Sequence, residues 1–302
     1  MSLRARLRNG LLVRSWSNGD VDLRSLFPLL SGDTFRLASD LTWSRDSEHA
    51  FGNENQRPEV VFTSRDHLPS LLQCVQAGLL PPTQAQLLIH DGDAPPSSTD
   101  LEVLLSSFAT VWATNLEVEN QSSRKHWLPL GIENTRYGRS GRKVHYPSHE
   151  EVQAFARGDI NARGIEVLGS FRVSTNPSER QPVLGKIERS RTHWIEPRER
   201  SLGKYIDAIR NSRFVISPPG NGLDCHRTWE ALYFGAIPVV KKGTIPPNVC
   251  ESLPILSVED FDEILQLSSQ ERSNVAAELN LRPRITALAS HWLRMIWGQK
   301  IS

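Results

Sequence analysis

Residues 212–243 hold two apolar runs separated by a turn that neither can extend through, and this constrains the fold more than any other stretch. Phe214-Val215-Ile216 has the length and bulk of a buried strand. Pro218, Pro219, Gly220 and Gly222 end it, because proline removes a ladder donor and glycine admits angles that other residues avoid. A helix is expected through Arg227, Glu230, Ala231 and Tyr233, with Asp224 as its cap and Gly235 as its stop. Ile237-Pro238-Val239-Val240 begins the next strand. Two strands joined through a helix run parallel, and ligands on parallel sheets lie beyond the strands' carboxyl ends.

The chemistry of that end suits a phosphate attached to a sugar. Glycine turns bring backbone N–H groups close to an anion, and a helix N-terminus carries partial positive charge. Arg227 offers a planar fork of donors for phosphate oxygens. Glu230, three residues on, shares its helix face. A diphosphate would repel a carboxylate, so accepting from ribose hydroxyls is its natural task. His226 and Thr228 add donors near the helix mouth. The plain alternative is a surface ion pair between Arg227 and Glu230, worth about 0.3–0.5 kcal/mol. The turn is neither a Walker loop nor a Gly-x-Gly-x-x-Gly fingerprint.

Pro219, Gly220, Asn221, Gly222, Asp224, Arg227, Trp229, Glu230, Ala231, Leu232, Gly235, Ile237, Pro238, Val239 and Val240 together resemble the C-terminal signature of exostosin-like glycosyltransferases. The resemblance implies a GT-B fold: two Rossmann-like α/β domains facing each other across a cleft. It implies a nucleotide-sugar donor, with Arg227 on the diphosphate and Glu230 on the ribose. The turn residues Gly220, Asn221, Gly222 and Asp224, followed by His226 and Thr228, are donor-binding candidates.

The likeness extends upstream. Val167-Leu168-Gly169-Ser170-Phe171 resembles the opening strand of the same domain, and Ser174, Thr175, Asn176 and Arg180 after it are further donor-side candidates. The alternative for this stretch is a helix start signal. In the N-terminal half, Val60–Thr63, Gln86–Ile89 and Val111–Asn115 read as strands and Leu68–Ala77 as a helix. His90-Asp91-Gly92-Asp93 followed by Leu128-Pro129-Leu130-Gly131-Ile132-Glu133-Asn134 resembles bacterial and algal relatives of the exostosin group. An inverting transferase needs a base to deprotonate its acceptor hydroxyl. The candidates are Asp93, Asp91 and His90, in that order, with Asp66 and His67 weaker; the alternative is a polar turn.

At 302 residues the chain exceeds the size of one ordinary core. Residues 1–140 are expected to form an acceptor-side domain, 141–163 a linker and 164–302 the donor domain, whose last helix, through Ile285, Leu288, Trp292 and Ile296, crosses back or packs locally. A net charge of +1 gives no pull toward nucleic acid. Cys74, Cys225 and Cys250 lack the spacing of a disulfide framework or zinc site, which favours a reducing compartment and a cytoplasmic location. No apolar run is long enough to span a bilayer. Arg4, Arg6, Arg8 and Arg14 precede any acid; this start either frays or touches acidic headgroups at the inner face of a membrane.

The expected activity is transfer of a hexose or pentose from a nucleotide-diphosphate donor, on the resemblance a UDP-sugar, to a glycan or glycoconjugate hydroxyl in polysaccharide biosynthesis. It is expected to be inverting and to need no metal or cofactor, with Lys186, Lys241 and Lys242 adding positive charge. The alternative is a non-catalytic protein that binds nucleotide-sugars or glycans.

Overall fold

Short runs of β-branched and aliphatic residues, each followed by a polar turn, become buried parallel strands. The computed structural model describes residues 29–43, 58–135, 137, 146–190, 192–195, 201–284 and 287–298. The chain divides into two compact units, Met1–Leu130 with Ala289–Ser302, and Gly131–Leu288.

The first unit is built on a five-stranded sheet of β1 (Leu41–Trp43), β2 (Val60–Ser64), β3 (Gln86–His90), β4 (Thr110–Ala113) and β5 (Lys125–Trp127), in that spatial order. Every pairing is parallel, with Val61 opposite Leu87 and Leu87 opposite Val111. Helix Leu68–Gln76 buries Leu68, Leu71, Cys74 and Val75, and Ser98–Leu105 buries Leu101 and Leu104. Ser97 starts the latter helix with a reciprocal capping box to Asp100. The final helix, Ala289–Trp297, packs on this unit: Trp292 meets Trp127 edge-on at 5.6 Å, and the Ile296 carbonyl accepts from the Gln86 amide.

The second unit carries β6 (Ile165–Gly169), β7 (His193–Trp194), β8 (Ser212–Ser217), β9 (Ile237–Lys241) and β10 (Leu256–Val258). Its spatial order is β10-β9-β8-β6-β7, again wholly parallel. From β6 the chain goes to β7 on one side and then returns past β6 to β8 on the other. The order reverses between β6 and β8, and the carboxyl ends of those two strands form the topological switch point. Alternate strand residues feed two cores. Val167, Phe214, Ile216, Ile237 and Val239 pack with Val183, Ile187, Phe261 and Leu279. Leu168 and Val215 face the other way, toward Tyr205, Ile209, Ala231 and Phe234.

Two parallel-sheet α/β units are the class read from the sequence, and elements differ from expectation in places. Part of the expected linker, His149–Arg157, is a helix, started by a Ser148–Glu151 capping box that the Arg- and Gly-rich surroundings obscured. Asp224 does not cap the helix after β8; that helix runs His226–Tyr233 with Cys225 at its N-cap and no side-chain cap bond. The arginine-rich start, residues 138–145 and Ile285 lie outside the described residues. No helix among the described residues is long and apolar enough to cross a membrane.

Candidate functional site

At the switch point of the second unit, residues from three separate segments meet. Arg227, in the first turn of helix His226–Tyr233, donates its Nε–H to the Ser170 carbonyl at 2.9 Å, spanning from the segment after β8 to the end of β6. Its Nη1 is buried and has no hydrogen-bond partner among the described residues. Arg180, from helix Pro177–Arg189, approaches the same place. Both guanidinium carbons lie over the Phe171 ring, at 5.8 Å for Arg180 and 5.9 Å for Arg227. Burial, and then the neighbouring Arg227, hold the Arg180 pKa below the usual guanidinium value. Two cations against one aromatic ring, one of them with a buried unsatisfied N–H, make a place where an anion gains charge-assisted bonds.

The sequence-derived donor residues divide between those that line this place and those that build it. Arg180 is a brace: 5% exposed, it donates to the carbonyls of Pro219 at 2.8 Å, Arg172 at 2.9 Å and Pro218 at 3.3 Å. Asn176 caps its helix and donates to the Gly220 carbonyl at 2.8 Å, while the Gly220 N–H closes on the Gly222 carbonyl. Asp224 is buried and accepts from the Trp229 indole and the Cys225 N–H, because a buried indole N–H needs an acceptor. Thr228 pairs with Ser217 at 2.9 Å. Ser174, in the 3-10 turn Val173–Thr175, and Asn221, in the turn after β8, are exposed. His226 Nδ1 lies 2.7 Å from the Gly131 carbonyl and therefore donates to it; its Nε2 lies 3.5 Å from Glu133. Glu230 is 8% exposed and accepts from two tyrosine hydroxyls.

The lysines are already paired. Lys186 meets Asp260 and Asp262, Lys241 meets Glu179, and Lys242 meets Glu259, so none is a spare charge. Burial raises the Cys225 thiol pKa against the pull of Arg227, which keeps it protonated, as a filler at the helix start would be.

In the first unit, His90, Asp91 and Asp93 follow β3 directly. His90 is buried. Its Nε2 faces the Pro129 carbonyl at 3.2 Å, an acceptor only, so that nitrogen carries a proton. Nδ1 accepts from the Asp91 N–H at 2.7 Å and lies 2.9 Å from Asp91 Oδ1. The Asp91 side chain is 5% exposed and its backbone is left-handed, with φ 60°. It lies against Gly32, where a Cβ would fall 1.8 Å from Asp91 Oδ1, so only glycine fits there. Asp93 is exposed, and its carbonyl accepts from buried Asn115 at 2.8 Å. Asn115, itself at φ 59°, and Gly32 were not foreseen as parts of this cluster; a polar residue one step past a strand was the available signal for Asn115. Asp66 and His67 stand at the end of β2, where the His67 carbonyl accepts from Ser70. Among the described residues no three His, Cys, Asp or Glu side chains cluster as a metal site.

Residues 182–270, which include Arg227 and Glu230, match the family model described as the RXYLT1 C-terminal domain. A probable glycosyltransferase of Arabidopsis thaliana is 39% identical over 80 residues, 24% of this chain and 15% of that protein. Ribitol-5-phosphate xylosyltransferase 1 of Homo sapiens is 29% identical over 82 residues, 24% of this chain and 18% of that protein. The matches thus span under a fifth of these relatives' length. An alpha1,3-fucosyltransferase solved with GDP covers 96% of this chain and 95% of its own at 13% identity, with a TM-score of 0.44, too low to bear on function. Over the matched stretch the chain is similar to glycosyltransferases; the exostosin branch is not singled out.

Proposed function

We propose that the protein is a glycosyltransferase that moves a sugar from a nucleoside diphosphate donor, a UDP-sugar by preference, to a glycan hydroxyl. The observation that carries this reading is Arg227: a buried, unsatisfied Nη1 at the switch point of a parallel sheet, beside a second guanidinium, inside a stretch similar to glycosyltransferases. Phosphate oxygens satisfy that N–H. As the glycosidic bond to the diphosphate breaks, negative charge grows on the leaving group, and a fixed guanidinium stabilises it more than it stabilises the intact donor. We assign the ribose to Glu230.

We assign the general base to Asp91, ahead of Asp93. Asp91 sits beside a buried imidazole whose Nε2 donates to the Pro129 carbonyl, and it occupies a left-handed backbone angle at a strand end. Asp93 faces solvent. Inversion at the anomeric carbon and catalysis without a metal or cofactor belong to the same proposal. So does a cytoplasmic location.

A panel of UDP-, GDP-, ADP- and CDP-sugars screened by thermal shift tests the reading, because a ligand at 100 times its dissociation constant adds about 2.7 kcal/mol. The expected result is stabilisation by one nucleotide class, and transfer to a glycan by that donor. Stabilisation without transfer or donor hydrolysis would identify a non-catalytic nucleotide-sugar binder instead, and no stabilisation by any member would remove the proposal.

A further inference from the structure

Glu230 is gripped from two directions. Tyr205, on helix Leu202–Arg210, donates its hydroxyl to Oε2 at 2.8 Å. Tyr146, ahead of helix His149–Arg157, donates to Oε1 at 3.1 Å. Neither ring is loose. Tyr205 is 3% exposed, and Tyr146 stacks on Phe234 at 5.9 Å, whose ring also lies 5.1 Å from the Arg210 guanidinium carbon. Burial, and then the charge of Glu230, push the Tyr146 phenol pKa far above its ordinary value, so it stays a donor. Two segments distant in sequence from Glu230 therefore converge on its carboxylate. Such a group has about four acceptor sites, and one phenol on each oxygen leaves room for two more donors.

We propose that Tyr146 and Tyr205 are positioning residues that fix the Glu230 carboxylate to receive the 2′,3′-diol of a ribonucleoside diphosphate. The inference rests on the donor-site reading above. A glutamate left to itself loses side-chain freedom when it engages a ligand; one already held on both oxygens has lost it beforehand. The two ribose hydroxyls donate to the remaining lone pairs, a pattern that a sugar without those hydroxyls cannot make. The tyrosines touch no substrate and act only through Glu230.

The test compares two dissociation constants by calorimetry on the full chain: the tightest-binding diphosphate among UDP, GDP, ADP and CDP, and its 2′,3′-dideoxy analogue. Tyr146→Phe and Tyr205→Phe are measured separately, each below its own melting transition, so that one misfolded variant leaves the other informative. The wild type is expected to favour the ribonucleotide by about tenfold or more, and each variant to lower that ratio by at least about threefold. A merely structural role would weaken both nucleotides alike and keep the ratio. An unchanged ratio in both variants, with wild-type preference intact, overturns the positioning role alone. No ribose preference in the wild type overturns the Glu230 assignment and the tyrosine role with it.

Discussion

Arg227 donates its Nε–H to the Ser170 carbonyl at 2.9 Å, and this bond ties the helix after β8 to the carboxyl end of β6. The bond fixes one edge of the guanidinium and turns the rest toward the place where the strand order reverses. Arg227→Lys keeps a charge but lacks the planar fork, so it cannot hold the carbonyl and an anion together. Nucleoside diphosphate affinity is expected to fall about 10- to 100-fold by calorimetry. Loss of the bond to the Ser170 carbonyl should lower ligand-free stability by only about 0.5–1.5 kcal/mol, so the variant stays folded for the binding measurement. Unaltered affinity would remove Arg227 from the donor site.

Asp91→Asn and Asp93→Asn separate the two carboxylates after β3. With Asp91 as the base, its amide variant should lose about 100-fold or more in kcat while the donor dissociation constant stays within about twofold. Asp93→Asn should remain within a few-fold of wild type. The reverse pattern would move the base to Asp93.

Gly235 follows the C-terminus of helix His226–Tyr233 with φ +79°, and a Cβ there would meet Arg163 Nη2 at 2.5 Å and Phe155 Cβ at 2.7 Å. That arginine donates to the carbonyls of Ser212 and Phe234, so it cannot easily retreat. Gly235→Ala combines a left-handed penalty with overpacking and should cost about 2–4 kcal/mol in urea unfolding. A loss under about 1 kcal/mol would mean that the arginine moves freely.

Glu166 accepts from Ser269 and from Arg272 Nη1, the latter at 2.8 Å, and these bonds hold its pKa below the ordinary carboxylate value. A carboxylate whose folded pKa is depressed contributes stability that is fully present above its unfolded pKa. That contribution is lost as pH falls through the folded pKa. The urea midpoint of the wild type should thus drop below about pH 4.5, and Glu166→Gln should flatten that limb. Equal acid limbs in both proteins would contradict the assignment.

Much of the fold was legible locally. Phe214–Ile216 and Ile237–Val240 read as strands because a short aliphatic run between proline and glycine turns has few other uses, and both are strands in the structure. The helix between them, bearing Arg227 and Glu230 on one face, followed from the same local rules. Residues 149–157 read as a connection because their capping box lies within an Arg- and Gly-rich stretch.

What the sequence determined by itself was the run of elements and the residue types at the strand ends, since periodicity and turn chemistry act between near neighbours. Only the tertiary structure decided what those side chains do. It gave Asp224 to Trp229, Arg180 to three carbonyls and the lysines to nearby acids, and it closed Tyr146 and Tyr205 on Glu230. The reason is that a buried polar group takes whichever partner packing brings within hydrogen-bond reach, and most of those partners lie tens of residues away along the chain.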